Sequence, residues 1–199
     1  MKSKKICMFI CILLFIYFIG GIIYSFTRKS LSVEKEEVGI QIKGFEYILK
    51  SSDTNIFKTE FEKLKTNLES DDINYNEYAE SLSKLFIIDL YTLSNKKNMY
   101  DVGGVEFVYK DARENYSLNV ENTLYKYMEN IDGRKQELPE VSDVVINSVE
   151  ETEYLIGEEK FDGYKVSVDI SYVKDLEYDN KAEIILIKED KYLYVVEKN

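Results

Sequence analysis

The chain has no histidine and no tryptophan, only one proline, and two cysteines that both lie close to its N-terminus. Without histidine, a Ser-His-Asp triad, a His-ligated zinc site and His-based acid–base catalysis are all excluded. Because the cysteines are Cys7 and Cys11, the remainder of the chain has no disulfide framework, no thiol nucleophile and no Cys-ligated zinc site. The composition therefore excludes many reaction classes before any pattern is considered.

Acidic residues outnumber basic residues, and the whole excess lies beyond residue 30. All 37 Asp and Glu residues follow that position, whereas five of the 26 Lys and Arg residues precede it, so the later part carries a net charge of −16. Such a surface repels nucleic acid and anionic lipid headgroups. We therefore expect no nucleic-acid partner. The frequent Lys, Ile, Asn and Tyr residues are typical of a low-GC bacterial genome.

One long apolar stretch, residues 6–26, contains no charged side chain. As a helix it would extend about 31 Å, which is enough to cross the hydrocarbon core of a bilayer. The stretch therefore predicts a transmembrane helix. The alternative is a cleaved signal peptide. Against it, the apolar run exceeds the usual signal core of about 7–15 residues, and no A-x-A-like cleavage site follows.

Basic residues flank the predicted span on both sides. Lys2, Lys4 and Lys5 precede it, and Arg28 and Lys29 follow it. Because cytoplasmic flanks carry the excess of Lys and Arg, we expect the N-terminus inside the cell and the remainder outside, with the cell membrane as the location. The predicted organisation is a cytoplasmic tail (residues 1–5), a transmembrane anchor (6–26), a stalk (27–39) and an extracytoplasmic domain (40–199).

The first half of the predicted domain has helical periodicity. Asp53 is predicted to cap one helix, Asn74 with Glu77 to open another as a capping box, and Asn119 to cap a third. Residues 105–109 are predicted to form a short strand between helices. Apolar residues at helical spacing predict four helices, the first of which begins near Ile40. In chain order, the apolar residues of the four helices are Phe45, Ile48 and Leu49; Phe57, Phe61, Leu64 and Leu68; Tyr78, Leu82, Leu85, Phe86 and Leu93; and Val120, Leu124, Tyr127 and Ile131.

After Pro139 the apolar period changes to two, which predicts strands. The predicted strands are residues 141–154, irregular near residues 144–146; residues 164–172, after an Asp162–Gly163 turn; residues 184–187, in a central position; and residues 192–196, after a tight hairpin at Glu189–Asp190. Helices followed by strands predict an α+β fold, in which helices cover one face of a curved antiparallel sheet of four to five strands.

This arrangement resembles the nuclear transport factor 2-like (cystatin-like) superfamily, which has a cone-shaped fold. The sequence FDGYKVSVDISYV, residues 161–173, resembles its long central strands, and the resemblance covers residues 40–197 at the level of topology. Membrane-anchored bacterial members include inner-membrane scaffold proteins of type IV secretion and conjugation machines, so the resemblance implies a protein–protein role. Other members are isomerase-type enzymes that use an Asp base and a Tyr donor inside the cone.

No metal, cofactor or phosphate site is predicted. The alternating acids of residues 175–179 resemble the start of a calcium loop, but Asn180 and Leu186 stand where an EF-hand needs Gly and Glu. The pair Gly103–Gly104 lacks the spaced glycines and the lysine of a phosphate-binding loop, and is better explained as a turn with positive φ.

Asp89 is the one residue that breaks a local rule, because it lies on the apolar face of a predicted helix. An isolated buried carboxylate acquires a raised pKa, which is how a general acid or base is made. In one interpretation Asp89 and a tyrosine form a catalytic or ligand-binding pair. In the other, Asp89 bonds a backbone amide or a neighbouring Tyr, Lys or Arg and is purely structural.

The sequence favours a binding protein over an enzyme. We expect a single-pass membrane protein that displays an acidic α+β domain for protein–protein interaction or scaffolding, with the membrane contacted through residues 6–26. Of its 17 tyrosines, two lie in the predicted span; we expect most of the others at the edge of the core and some in a recognition patch, and the sequence does not separate the two groups. The alternatives are a small-ligand-binding or isomerase-type domain that uses Asp89, and an accessory component of a conjugation or secretion apparatus.

Overall fold

The computed structural model describes residues 39–199, in which helices occupy the first half and a four-stranded sheet the second. The elements are strands β1 (Ile40–Gln41) and β2 (Ile48–Leu49), helices α1 (Asn55–Leu68), α2 (Tyr75–Tyr91) and α3 (Arg113–Asn122), and strands β3 (Val141–Ile156), β4 (Glu159–Tyr172), β5 (Lys181–Glu189) and β6 (Tyr192–Lys198). The predicted α+β class is confirmed. The predicted span, residues 6–26, lies outside the described residues, and within residues 39–199 no helix is both long and apolar enough to cross a membrane.

The two long helices begin with side-chain caps, one of them at a different residue from the predicted one. Asn74 caps α2 as predicted, because its side-chain oxygen accepts the backbone N–H of Glu77. The prediction that Asp53 caps α1 is wrong by one residue. Thr54 is the cap, whereas the Asp53 carboxylate accepts the backbone N–H of Lys50 at 2.6 Å and closes the preceding turn.

The predicted helix after Ile40 is absent from the described residues, and this prediction is wrong. The segment forms a hairpin of two very short strands, β1 and β2, with Gly44 at φ 80° in its turn. The side chains that it buries follow a period of two after the turn rather than a helical one: Phe45, Tyr47 and Leu49. Gly44, with its positive φ, interrupts the predicted helical backbone between the two strands. After it, alternate side chains point into the core, as in a strand.

Two further local predictions also fail around the third helix. Residues 105–109 do not form a strand, because Val105–Phe107 is a 3₁₀ turn that inserts Phe107 into the core. Only Val108 makes a strand-like bridge, to Val195 of β6. The third helix starts at Arg113, so Asn119 lies inside α3 and is not its cap.

The sheet is an antiparallel meander in the order β3-β4-β5-β6. The predicted irregularity of the first long strand is confirmed, since the β3 register shifts between Ile146 and Ser148. The prediction of a turn at Asp162–Gly163 is wrong, because this pair lies inside β4. A Cβ at Gly163 would collide with the backbone carbonyl of Leu186, so the glycine serves close strand packing.

One face of the sheet packs on α2, and the sheet curls toward its other face. The packed face is built from Val166, Val168, Ile170, Ile184 and Leu186. On the other face, the Tyr154 hydroxyl of β3 donates to the Glu197 carboxylate of β6 at 3.0 Å. Two strands separate β3 from β6, a span of about 14 Å in a flat sheet. A tyrosine side chain bridges that span only because the sheet is curved.

Candidate functional site

Asp89 lies near the C-terminal end of α2, and both of its carboxylate oxygens have partners. One oxygen accepts the backbone N–H of Gly104 at 2.6 Å, and the other forms an ion pair with the Lys96 ammonium. The Lys96 side chain is 10% exposed and that of Asp89 is 19% exposed. This geometry matches the structural interpretation of Asp89, because a backbone amide and a nearby lysine satisfy the carboxylate.

The Gly103–Gly104 turn is held from three sides by buried polar groups. Tyr116 donates its hydroxyl to the Gly103 carbonyl at 2.9 Å. The Tyr125 hydroxyl accepts the Gly103 N–H at 3.4 Å and donates to the Leu90 carbonyl at 2.7 Å. We call Asp89, Lys96, Gly103, Gly104, Tyr116 and Tyr125 the glycine node.

Both glycines of the node are required by geometry. Gly104 has φ 78°, as predicted for a turn with positive φ. A Cβ at Gly103 would collide with the backbone carbonyl of Asp89, so the turn lies directly against α2. The glycine node therefore connects three segments, namely the loop after α2, the Gly103–Gly104 turn and α3, to the C-terminal end of α2.

The node does not provide a catalytic pair of Asp89 with a tyrosine. The hydroxyls of Tyr116 and Tyr125 bond backbone groups rather than the carboxylate. Burial raises the pKa of both tyrosine hydroxyls, which keeps them neutral. The space beside Asp89, bounded by Phe57 and Thr92, is too small to hold a water molecule. A substrate therefore has no room beside this carboxylate in the structure.

Glu106 is a titratable group that the sequence analysis missed. It lies in the Val105–Phe107 turn, directly after the glycine node. Burial, and secondarily the charge of Asp89, raise the pKa of Glu106 to about 7, although the Lys50 charge and a hydrogen bond from the Ile48 backbone N–H lower it. Its only sequence signal is its position between two apolar residues, Val105 and Phe107.

A cleft of about 810 Å³ lies between the end of α2, α3 and β6. Its floor is apolar and includes Phe86, Leu90, Val108, Val120 and Val195. Its rim carries amide and hydroxyl groups on the α3 side, namely Asn115, Asn119 and Thr123. Helix α3, which forms one wall, buries Val120, and its first residue, Arg113, donates to the backbone carbonyls of Glu106 and Val108.

The charged groups at the β6 end of the cleft bond one another. The Tyr91 hydroxyl donates to the Asp179 carboxylate at 3.3 Å, and the Lys198 ammonium lies 3.3 Å from the same oxygen. Lys198 also lies 5.2 Å from the centre of the Tyr91 ring, a cation–π distance. Burial and the Asp179 charge raise the pKa of Tyr91. Of the acids considered as a calcium loop, only Asp179 therefore reaches the cleft.

The cleft was not predictable as a site, because its lining comes from four separate stretches of sequence. No described cluster of Asp or Glu has the arrangement to hold a metal ion. The cleft combines an apolar floor with amide and hydroxyl groups on the α3 side and an Asp179–Lys198 ion pair at the β6 end, an arrangement that suits ligand binding. Comparisons with known protein families, with curated proteins and with solved structures give no match to this chain.

Proposed function

We propose that this chain is a single-pass membrane protein whose folded domain lies outside the cell and binds another protein through the cleft. The observation that carries the proposal is the apolar floor under a rim of amide and hydroxyl groups. An apolar segment of the partner would cover the half-buried side chains of Ala112, Leu124 and Val196, and its backbone would bond Asn115 and Asn119. Both amides donate and accept hydrogen bonds, so they fit a polypeptide backbone.

The shape of the cleft favours a polypeptide over a small molecule. The cleft is open to solvent along one side, whereas small-ligand sites enclose most of the ligand surface. The scaffold proteins that the chain resembles would place that partner in a secretion or conjugation apparatus.

A small-ligand site at Asp89 is the weaker alternative. Both oxygens of that carboxylate have partners within the glycine node, and Asp89 does not line the cleft. A small ligand in the cleft itself would instead contact Asn119, and the experiment below separates this case from a protein partner.

Photo-cross-linking at Asn119 tests the proposal. Asn119 is exposed and lines the cleft, whereas Leu118, its neighbour on α3, is 48% exposed and lies outside the lining. We expect a photoreactive amino acid at position 119, in native membranes, to give one discrete protein adduct that is absent when the same group is at position 118. Asn119→Trp should abolish an adduct formed from Asn115, and Leu118→Trp should not.

Equal adducts from positions 118 and 119 would contradict the proposed cleft. The absence of any protein adduct, together with a small molecule that co-purifies with wild type and is lost in Asn119→Trp, would establish the small-ligand function instead. The topology has its own test. Protease added to intact cells should degrade the domain, and full protection would contradict the proposed location.

A further inference from the structure

Strand β3 forms an edge of the sheet and is much longer than an ordinary strand. It has 16 residues, against a typical length of about five or six. No other strand within residues 39–199 pairs with its outer side. The Thr92 hydroxyl accepts the backbone N–H of Val141 at the very start of β3. An open edge of this kind presents backbone donors and acceptors to which another strand can bind.

The register identifies which backbone groups point outward. In β4, the backbone N–H of Ile170 donates to the carbonyl of Asn180 on the β5 side. The backbone N–H and C=O groups of even-numbered β4 residues therefore point toward β5, and those of odd-numbered residues point toward β3. The backbone groups of Lys165 therefore point toward β3, where Lys165 is opposite Glu150. The backbone groups of Glu150 accordingly point toward β4. Backbone groups alternate along a strand, so those of the odd-numbered residues from 149 to 155 point away from the sheet. We call these groups the β3 edge.

The β3 edge is the regular part of the strand. Both register shifts of β3 lie earlier, between Val141 and Asp143 and between Ile146 and Ser148. Bulges twist an edge strand away from potential partners, so the first half of β3, before Ser148, is protected against pairing with another strand. From Ser148 to Ile156 the pairing with β4 continues without a shift and without a proline.

Charge distinguishes the kinds of strand that the β3 edge can accept. Strand β3 contains four carboxylates, Asp143, Glu150, Glu151 and Glu153, and no Lys or Arg. A second copy of β3 would place carboxylates against carboxylates, which is destabilising. The stalk, residues 27–39, carries three glutamates balanced by three basic residues, so it has no net positive charge to complement the edge. A basic strand has the complementary charge.

Next to the β3 edge lies a depression of about 410 Å³ that we call the acidic depression. Three carboxylates line it, from Glu151, Glu153 and Asp162. The charges of Glu151 and Asp162 add to burial in raising the pKa of Tyr164 at its base. Lys188, which also lines it, is engaged elsewhere, since its ammonium lies 3.5 Å from the centre of the Tyr75 ring. Glu153 pairs with Lys160 at 2.6 Å, whereas Glu151 and Asp162 form no ion pair with a lysine or arginine of residues 39–199.

We propose that the β3 edge binds an extended basic segment of a protein partner as an added strand, with a Lys or Arg side chain seated in the acidic depression. Backbone hydrogen bonds along residues 149–155 give the affinity, and the depression gives the preference for a basic side chain. The inference rests on the proposed role in protein binding. It adds a second surface, because the acidic depression shares no residue with the cleft.

A peptide of alternating lysine and valine tests the inference, with the full-length protein in detergent micelles and fluorescence anisotropy as the measurement. Glu151→Pro removes an outward N–H without removing a bond to β4, and edge strands tolerate proline there. We expect Glu151→Pro to weaken binding about tenfold, as for the loss of one hydrogen bond and its charge. Glu151→Gln keeps the N–H and should weaken binding about two- to fivefold, with a reduced dependence on salt.

The matched peptide control carries N-methyl groups on its backbone, and it should not bind, because it cannot donate to the β3 edge. This arm decides the question even if Glu151→Pro fails to fold, which circular dichroism would reveal. Equal binding of the methylated peptide, or no binding of the plain peptide at low salt, would overturn the inference.

Three further outcomes would also overturn it while leaving the proposed function intact. If Asn119→Trp abolishes peptide binding, the peptide occupies the cleft and not the β3 edge. If binding appears only after residues 27–39 are deleted, or if wild type forms a dimer that Glu151→Pro dissociates, the edge is occupied by the chain itself.

Discussion

The glycine node and the β3–β4 hairpin differ in whether their polar groups have hydrogen-bond partners within the molecule. In the node, the Asp89 carboxylate and the hydroxyls of Tyr116 and Tyr125 all bond within the molecule. Along the β3 edge, by contrast, backbone groups from residues 149–155 point away from the sheet and have no strand partner among the described residues. The difference teaches that the unusual buried groups of this protein maintain its architecture, and that its unsatisfied groups are where recognition is to be sought.

The largest effect should follow from breaking the ion pair of the glycine node. Asp89→Ala leaves the Lys96 ammonium buried without a counter-charge and the Gly104 N–H without an acceptor. We expect a loss of about 3–5 kcal/mol in the free energy of unfolding, measured by urea denaturation. Asp89→Asn, which can still accept from Gly104, should lose less. A loss below about 1 kcal/mol for Asp89→Ala would contradict the structural role assigned to the glycine node.

A second buried pair joins the β1–β2 hairpin and α2 to the sheet. The hydroxyls of Tyr47 and Tyr78 lie 2.6 Å apart, and the Tyr78 oxygen accepts the backbone N–H of Leu193 at 3.2 Å. Tyr78→Phe leaves that N–H unsatisfied, so we expect a loss of about 1–3 kcal/mol by urea denaturation. Tyr127→Phe is the control at a residue 78% exposed and should be neutral. Equal effects of the two substitutions would contradict this assignment.

Glu106 should give the protein a pH-dependent stability. Its pKa is raised to about 7 in the folded state, from an ordinary value of 4.5, so the folded state retains a proton that the unfolded state has released. Stability therefore falls as the pH rises from about 4.5 to about 7, and this loss is complete above that window. Glu106→Gln should remove this contribution. The melting temperature of the variant, relative to wild type, should rise across the window, and a constant difference would contradict the shift.

The smallest effect is expected in the hairpin. Leu155 is 65% exposed at the end of β3, so Leu155→Ala should change the free energy of unfolding by less than about 0.5 kcal/mol. The same substitution at Leu193, which is completely buried, should cost about 2–5 kcal/mol. Thermal or urea denaturation of the two variants compares the regions directly. A large loss at Leu155 would mean that the hairpin is part of the packed core.

Much of the fold could be predicted because its long elements have clear periods. The α1 and α2 stripes and the meander after Pro139 were predicted from spacing alone, and Ile184, Leu186 and Ile187 of β5 are buried as expected of a central strand. Short elements were predicted poorly. A single glycine at φ 80°, Gly44, converts an expected helix into a hairpin, and Gly163 supports strand contact where a turn was expected.

The candidate sites were harder to predict, because they depend on contacts between distant residues. Asp89 was correctly identified as unusual, but its partner Gly104 comes from a separate loop. The cleft joins Tyr91 to Asp179, which lie 88 positions apart, and no local pattern reports such a pair. The β3 edge depends on which strand has no neighbour, a property that the strand's own sequence does not contain.

Hydrogen exchange at single-residue resolution, on the full-length protein, tests the contrast between node and edge in one measurement. The amides of Gly104 and Leu193 donate to Asp89 and Tyr78, so they should be strongly protected. The outward amides of Glu151 and Glu153 should exchange rapidly, and a bound basic peptide should protect them. Strong protection of Glu151 and Glu153 in the free protein would show that the edge is already covered, and would contradict the account.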